Sequence, residues 1–158
     1  MYERNRSPDA EQRIRALLGK VHLRNISYTE REHITMAIFN TNEFLCKTFS
    51  KTIFGTTALR PEAVCADGFT LSIQASSMHY CRPSKDLQDG DYSKVELGNL
   101  SETVEEFLPY AENEARPLFT VYGYVPIETV NAVLAKHGGI VNARGEGTYD
   151  GSIHYRRQ

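Results

Sequence analysis

The sequence contains no tryptophan and only three cysteines among its 158 residues. The cysteines stand at positions 46, 65 and 81, without the spacing of a disulfide framework, and three thiols cannot all pair within one chain. This usage argues against a disulfide-stapled secreted domain and favours a reducing compartment. With 41% hydrophobic and 24% charged residues, the composition predicts one globular domain with an ordinary core.

Long apolar runs and an excess of one charge are also missing. No stretch approaches the ~20 apolar residues of a membrane helix, and the start, MYERNRSPDAEQ, lacks the apolar core of a signal peptide. The 18 basic and 20 acidic residues give a net charge of −2, which argues against a protein that coats nucleic acid. We therefore expect a cytoplasmic protein without membrane contact or direct nucleic-acid binding.

Charge and pattern divide the predicted single domain, 1–158, into three parts. A helical part, 1–60, is basic, a sheet-containing part, 61–141, follows, and 142–158 is a polar, glycine-rich tail. Residues 86–114 carry nine acids and one base, Lys94. Such a segment is usually a solvated surface, and occasionally a mimic of nucleic-acid phosphates that blocks a basic protein.

Helical periodicity predicts two N-terminal helices and one near the C-terminus. The first runs from Ser7-Pro8 to Gly19, and the second covers 30–54, about 37 Å, long enough for a break at 40–42. Pro126 begins the last helix, which Gly138-Gly139 ends. The apolar positions of the second helix predict a core face; they are Ile34, Ala37, Ile38, Phe44, Leu45, Phe49 and Ile53.

Between these helices the period changes to two. Residues 69–75 alternate apolar and polar side chains, as a half-buried strand does, and Asp67-Gly68 predicts a tight turn before it. Further strands are predicted at Tyr92–Leu97, after an Asp89-Gly90 turn, and at Leu118–Val125, whose two apolar faces favour a central position. A short acidic helix is predicted at Ser101–Leu108. The sequence therefore predicts an α+β fold with a small antiparallel sheet.

Standard catalytic motifs are absent from the sequence. It has no Walker loop, no G-x-S-x-G and no C-x-x-C. His79 and Cys81 provide two candidate ligands, whereas zinc requires three or four, so no metal or cofactor is predicted. The same pair also suggests a small hydrolase or transferase with a Cys81 nucleophile, but no third orienting residue is evident. We favour a thiol that packs, and a protein that is not an enzyme.

The richest polar stretch follows the 69–75 strand. His79 and Tyr80 offer flat faces for stacking, Arg82 offers a planar fork suited to phosphate, and Lys85 adds a second positive charge. Pro83 stiffens the loop and lowers the entropy lost on binding. A nucleotide-like anion needs such groups. The alternative interpretation is an ordinary surface loop with a local ion pair.

Several segments between residues 67 and 140 form a distinctive pattern. They are Asp67–Ser76, His79–Pro83, Tyr92, Val95–Gly98, Pro109–Glu112, Val121–Pro126 and His137–Ile140. This pattern resembles small accessory proteins of bacteriophages, and the phage anti-Thoeris nucleotide sponges in particular. That family binds immune signalling molecules made from NAD, such as glycocyclic ADP-ribose, without degrading them. The resemblance implies a homo-oligomer with pockets shared between chains.

These observations lead to a hypothesis of function and to an alternative. In the hypothesis, a phage anti-defence protein in the host cytoplasm sequesters a cyclic nucleotide of the cyclic ADP-ribose or cyclic oligonucleotide type. The predicted ligand-binding residues are His79, Tyr80, Arg82, Lys85, Tyr92, Tyr122 and Arg60. In the alternative, the acidic segment 86–114 occupies a basic groove on a host defence nuclease or regulator.

Overall fold

The computed structural model describes residues 37–145 and the backbone of 154–155. Within them, two α-helices, one 3₁₀ helix and six strands follow one another along the chain. They are α1 (Thr41–Lys47), β1 (Glu62–Cys65), β2 (Thr70–Gln74), β3 (Lys94–Gly98), the 3₁₀ helix (Glu105–Tyr110), β4 (Tyr122–Pro126), α2 (Ile127–Lys136), β5 (Ile140–Arg144) and β6 (His154–Tyr155).

The strands form one sheet in the order β4-β3-β2-β1-β5-β6. Five of them are antiparallel to their neighbours, and the two-residue β6 lies parallel to β5. The predicted turn at Asp67-Gly68 joins β1 to β2. Gly68 adopts a φ of 92° and donates its N–H to the Cys65 carbonyl at 3.0 Å. A sheet of this kind with a few helices confirms the predicted α+β class.

One face of the sheet is buried under the helices. Side chains alternate along a strand, and the inward set on β2 and β3 is fully buried: Leu71, Ile73, Val95 and Leu97. From α1, Phe44 and Leu45 join this core, and from α2, Val130, Val133 and Leu134. The apolar stripe of α2 was predicted from its spacing, and its burial confirms that prediction.

The predicted helix over 30–54 is wrong at residues 37–40, where Ile38 instead forms a β-bridge with Ile140, and it is wrong beyond Lys47. The Asn40 side chain accepts the N–H groups of Asn42 and Glu43, so α1 begins at the break that the sequence left open. Past Thr48 the chain turns into a loop, and Ile53, expected in the core, is 94% exposed. Hydroxyl groups in this stretch bind nearby backbone and compete with the helical ladder. Residues 7–19 and 30–36 lie outside the described residues.

The strand predicted over Leu118–Val125 is shorter than expected and is not central. β4 covers Tyr122–Pro126 and lies at the end of the strand order, because strand order depends on long-range pairing that periodicity does not reveal. Segment 118–121 is a loop with exposed apolar side chains. β5 extends into the stretch assigned to the tail, and it pairs with β1 inside the sheet.

The predicted Asp89-Gly90 turn packs tightly against α1. A Cβ atom at Gly90 would stand 2.6 Å from the Asn42 carbonyl oxygen and 2.8 Å from the Cys46 amide nitrogen, and φ at Gly90 is 71°. Close approach and positive φ both require glycine here. None of the helices described, over 37–145, is long and apolar enough to cross a membrane.

Candidate functional site

The loop after β2 covers residues 76–86 and runs beside the start of β3. Asp86 closes it by accepting hydrogen bonds from the Ser77 N–H and hydroxyl, at 2.9 and 3.2 Å. These bonds lower the pKa of the Asp86 carboxyl. Within the loop, Arg82 and Lys94 of β3 exchange backbone hydrogen bonds, so their side chains project from the same side of the sheet. Both side chains are exposed.

A cluster of two tyrosines and one arginine lies where this loop meets β4. The Arg82 guanidinium carbon is 4.5 Å from the centre of the Tyr124 ring, the geometry of a cation–π contact. The Tyr80 ring is 5.7 Å from that of Tyr124, at 49°. Nη1 of Arg82 donates to the Cys81 carbonyl and the Ser84 hydroxyl, whereas Nε and Nη2 donate to none of the described residues. We call Tyr80, Arg82 and Tyr124 the Tyr-Arg cluster.

Tyr124 lies at a β-bulge in a strained backbone conformation. Val95 pairs with Val125 and Leu97 with Tyr122, so Gly123 and Tyr124 together oppose one residue of β3. At this bulge Tyr124 adopts a φ of 56°, which costs a non-glycine residue about 1–2 kcal/mol. Its N–H leaves the ladder and donates to the Tyr80 carbonyl at 2.9 Å. Strain of this kind is often concentrated at functional sites.

His79 is half-buried beside the Tyr-Arg cluster. Its Nδ1 is 2.6 Å from the Ser76 hydroxyl, which already accepts the Met78 N–H. Burial lowers the pKa of His79, and Arg60 lowers it further, although Glu96 opposes the shift. The imidazole is therefore neutral near pH 7. If the Ser76 hydroxyl donates to Nδ1, then Nε2 carries the proton.

The outer face of the sheet is the floor of an open groove of about 1260 Å³. Residues that alternate with the core positions line it, including Ser72 on β2 and Glu96 and Gly98 on β3. Parts of segments 52–62 and 112–121 form its walls. His79 and Glu96 lie at its border with the Tyr-Arg cluster, because Glu96 accepts the Tyr80 N–H at 2.9 Å.

Carboxylates prevail over free cations in this groove. Glu62, Glu96 and Glu112 line it. Arg144 lines it too, with Nε 3.9 Å from the Glu62 carboxylate, too far for a hydrogen bond. The groove therefore suits a cationic ligand, whereas the Tyr-Arg cluster suits an anion.

Three predicted ligand-binding side chains are committed to internal contacts. Arg60 is 4% exposed; its guanidinium donates to the carbonyls of Leu45 and Ala75, and burial lowers its pKa. Tyr92 donates its hydroxyl to the Lys85 carbonyl at 2.7 Å, and Tyr122 donates its own to a loop carbonyl at 2.6 Å. Their residue types suit ligands, but each polar group instead satisfies a backbone group that the fold leaves unpaired.

The other four predicted residues remain near the outer face. His79, Tyr80 and Arg82 lie together, as described, and Lys85 is exposed at the end of the loop. Sequence reasoning missed Tyr124 and Lys94. The signal for Tyr124 was Gly123, because Tyr80 packs over that glycine, and a Cβ atom there would lie 3.3 Å from the Tyr80 Cβ.

Cys81 is fully buried and its thiol is hydrogen-bonded. Sγ donates to the Ser76 carbonyl at 3.1 Å, and burial raises the pKa of the thiol. A protonated, buried sulfur is a poor nucleophile. Among residues 37–145, no three His, Cys, Asp or Glu side chains come together as a metal site requires.

Comparison with known proteins identifies no relative. No protein-family model, no curated protein and no solved structure matches the chain.

Proposed function

We propose that this protein is a non-catalytic binding protein that sequesters a cyclic nucleotide at the Tyr-Arg cluster. The observation that carries the proposal is the Arg82 guanidinium fixed over the strained Tyr124, with two of its nitrogens free of bonds to the described residues. A prearranged fork loses less entropy when it binds phosphate.

Each part of a nucleotide has a counterpart here. Tyr80 is 48% exposed and offers a face on which a base can stack. Arg82 and Lys94 project side by side and supply two positive charges for phosphates, and Lys85 lies close along the loop. The resemblance to the phage sponges supplies the ligand class and the role in silencing a host defence.

The proposal includes a homo-oligomer with sites shared between chains. Large apolar side chains are left on the surface outside the groove, among them Ile53 and Phe54, which are 94% and 86% exposed. A second copy is the natural cover for such side chains. Light scattering at micromolar concentration should give at least a dimer mass, and a monomer mass contradicts this part of the proposal.

The test is to incubate the protein with cyclic ADP-ribose-type compounds and cyclic dinucleotides, remove the excess, and release bound ligand by heating. Intact ligand in the supernatant is the expected result. Altered ligand indicates an enzyme. If none of these nucleotides is taken up, the sequestration proposal is wrong.

The matched variants act on Arg82. Arg82→Ala should cost ~1.5–3 kcal/mol of binding, roughly tenfold to more than a hundredfold in Kd, because the charged fork is lost. Arg82→Lys should restore part of the affinity, and Arg116→Ala, at another exposed arginine, should bind as wild type does. An alanine variant at position 82 that melts normally and binds with unchanged affinity excludes the phosphate clamp.

A further inference from the structure

The groove on the outer face differs from the Tyr-Arg cluster in shape, polarity and charge. Its volume of about 1260 Å³ exceeds the ~300–1,000 Å³ of ordinary small-molecule sites. Its floor runs across the outer sides of β1, β2 and β3, where the described helices leave the sheet uncovered. A groove that is open and larger than an ordinary small-molecule pocket suits an extended chain lying across the strands better than an enclosed compact molecule.

Apolar side chains stand along the walls of the groove. Leu59, Leu118 and Phe119 are 66%, 38% and 85% exposed, which is unusual for side chains of this size. They belong to the two segments, 52–62 and 112–121, that contribute to the groove lining. Aromatic and aliphatic groups in such positions act as anchors for apolar side chains of a partner.

The charges of the groove select the partner. Glu62, Glu96 and Glu112 line it, and Arg144 offsets only part of their charge. Arg60 borders the groove, but it is 4% exposed and its guanidinium donates to the carbonyls of Leu45 and Ala75. We infer that the groove binds an extended, lysine- or arginine-rich segment of a partner protein that also carries apolar side chains. This inference uses different residues from the nucleotide proposal and stands apart from it.

The probe is a labelled peptide of about eight residues, roughly one strand in length, in which lysine alternates with leucine, phenylalanine and glycine. Its control has glutamate in place of lysine. Fluorescence anisotropy should show binding of the lysine peptide and none of the glutamate peptide. Raising the salt to ~1 M, where the screening length is about 3 Å, should weaken the binding. Equal binding of both peptides contradicts the inference.

Gly98 provides a variant that fills the groove. It lies on the floor, a Cβ atom there would meet nothing within 4 Å, and its φ is not positive. Gly98→Phe should therefore fold normally and abolish peptide binding. Unchanged peptide binding with a normal melting curve overturns the inference. If the same substitution lowers the oligomer mass and leaves peptide binding intact, the occupant is a second copy, and the inference is likewise wrong.

Two charge variants complete the test. Glu62→Gln with Glu112→Gln should weaken the lysine peptide about tenfold, as loss of two surface charge pairs does. Glu128→Gln, on an exposed position of α2, is the matched control and should have no effect. Arg82→Ala should leave peptide affinity unchanged, so failure of the nucleotide proposal and failure of this one give different results.

Discussion

The two faces of the sheet differ in what covers them, although the same strands form both. The inner face carries Leu71, Ile73, Val95 and Leu97 beneath α1 and α2. The outer face carries carboxylates, hydroxyls and a glycine, and exposed large apolar side chains border it. Because stability depends on buried area, the inner face should determine folding. The outer face is free to determine binding.

Alanine substitutions at Phe107, in the core, and at Phe119, beside the outer face, should give the largest difference in unfolding free energy. Phe107 is fully buried and packs edge-on against Tyr122, with ring centres 6.2 Å apart. Phe107→Ala should destabilise the fold by about 3–5 kcal/mol. Phe119→Ala, at an 85% exposed position, should change stability by less than about 0.5 kcal/mol. Urea unfolding of both variants measures the change in stability. If both variants lose a similar amount, the inner face does not determine folding as proposed.

Two arginines sharpen the same comparison. Arg60→Ala leaves the Leu45 and Ala75 carbonyls without their donor and should cost about 2–4 kcal/mol of stability. Arg82→Ala removes a surface stacking contact and should cost less than about 0.5 kcal/mol. Thermal melting with ligand binding separates a structural arginine from a binding one. An Arg60→Ala variant as stable as wild type shows that its hydrogen bonds add nothing.

Backbone strain at Tyr124 predicts a smaller effect on stability. Because Tyr124 has a φ of 56°, Tyr124→Gly should be about 1 kcal/mol more stable than Tyr124→Ala. Both variants lose the ring beneath Arg82, so both should bind nucleotide less tightly. Chemical denaturation compares the pair, and a glycine variant no more stable than alanine indicates that the backbone there is unstrained.

The smallest effect is a pH dependence caused by His79. Its pKa is lowered in the folded protein, chiefly by burial, from about 6.5 in the unfolded chain. The unfolded state therefore binds more protons between the two pKa values, and stability falls as pH drops below about 6.5. His79→Asn should flatten the slope of unfolding free energy between pH ~7 and ~5. If the slope is unchanged in this variant, groups other than His79 cause the pH dependence of stability. Asp86 is not among them, because its pKa lies below this window.

Local sequence patterns predicted correctly the elements in which the regularly spaced apolar residues are also the buried ones. The 69–75 alternation became β2, and the apolar spacing after Pro126 became α2, because in both cases one face of the element packs on the core. The same reasoning failed past Lys47. There the apolar period continues through Ile53, but no neighbouring element covers that side chain.

For the candidate site, the sequence indicated some of the residues that lie together, but not which polar side chains bind backbone groups. Tyr80 and Arg82 do lie together on the surface, as their proximity in one loop suggested. Arg60, Tyr92 and Tyr122 have chemistry equally suited to ligands, yet each donates to a backbone carbonyl that the fold brings to it. These carbonyls lie 15, 7 and 5 residues from their donors, but whether a side chain reaches one depends on how the intervening loop folds, which residue spacing does not reveal.

The sequence by itself determined the α+β class, the turns at Asp67-Gly68 and Asp89-Gly90, and the apolar faces of β2 and α2, because these depend on the conformational preferences and side-chain spacing of neighbouring residues. Only the tertiary structure decided that β4 is at an edge, that Tyr124 lies strained beneath Arg82, and that three glutamates line one groove. These features depend on which distant segments meet, and that choice is made by the packing of the whole core.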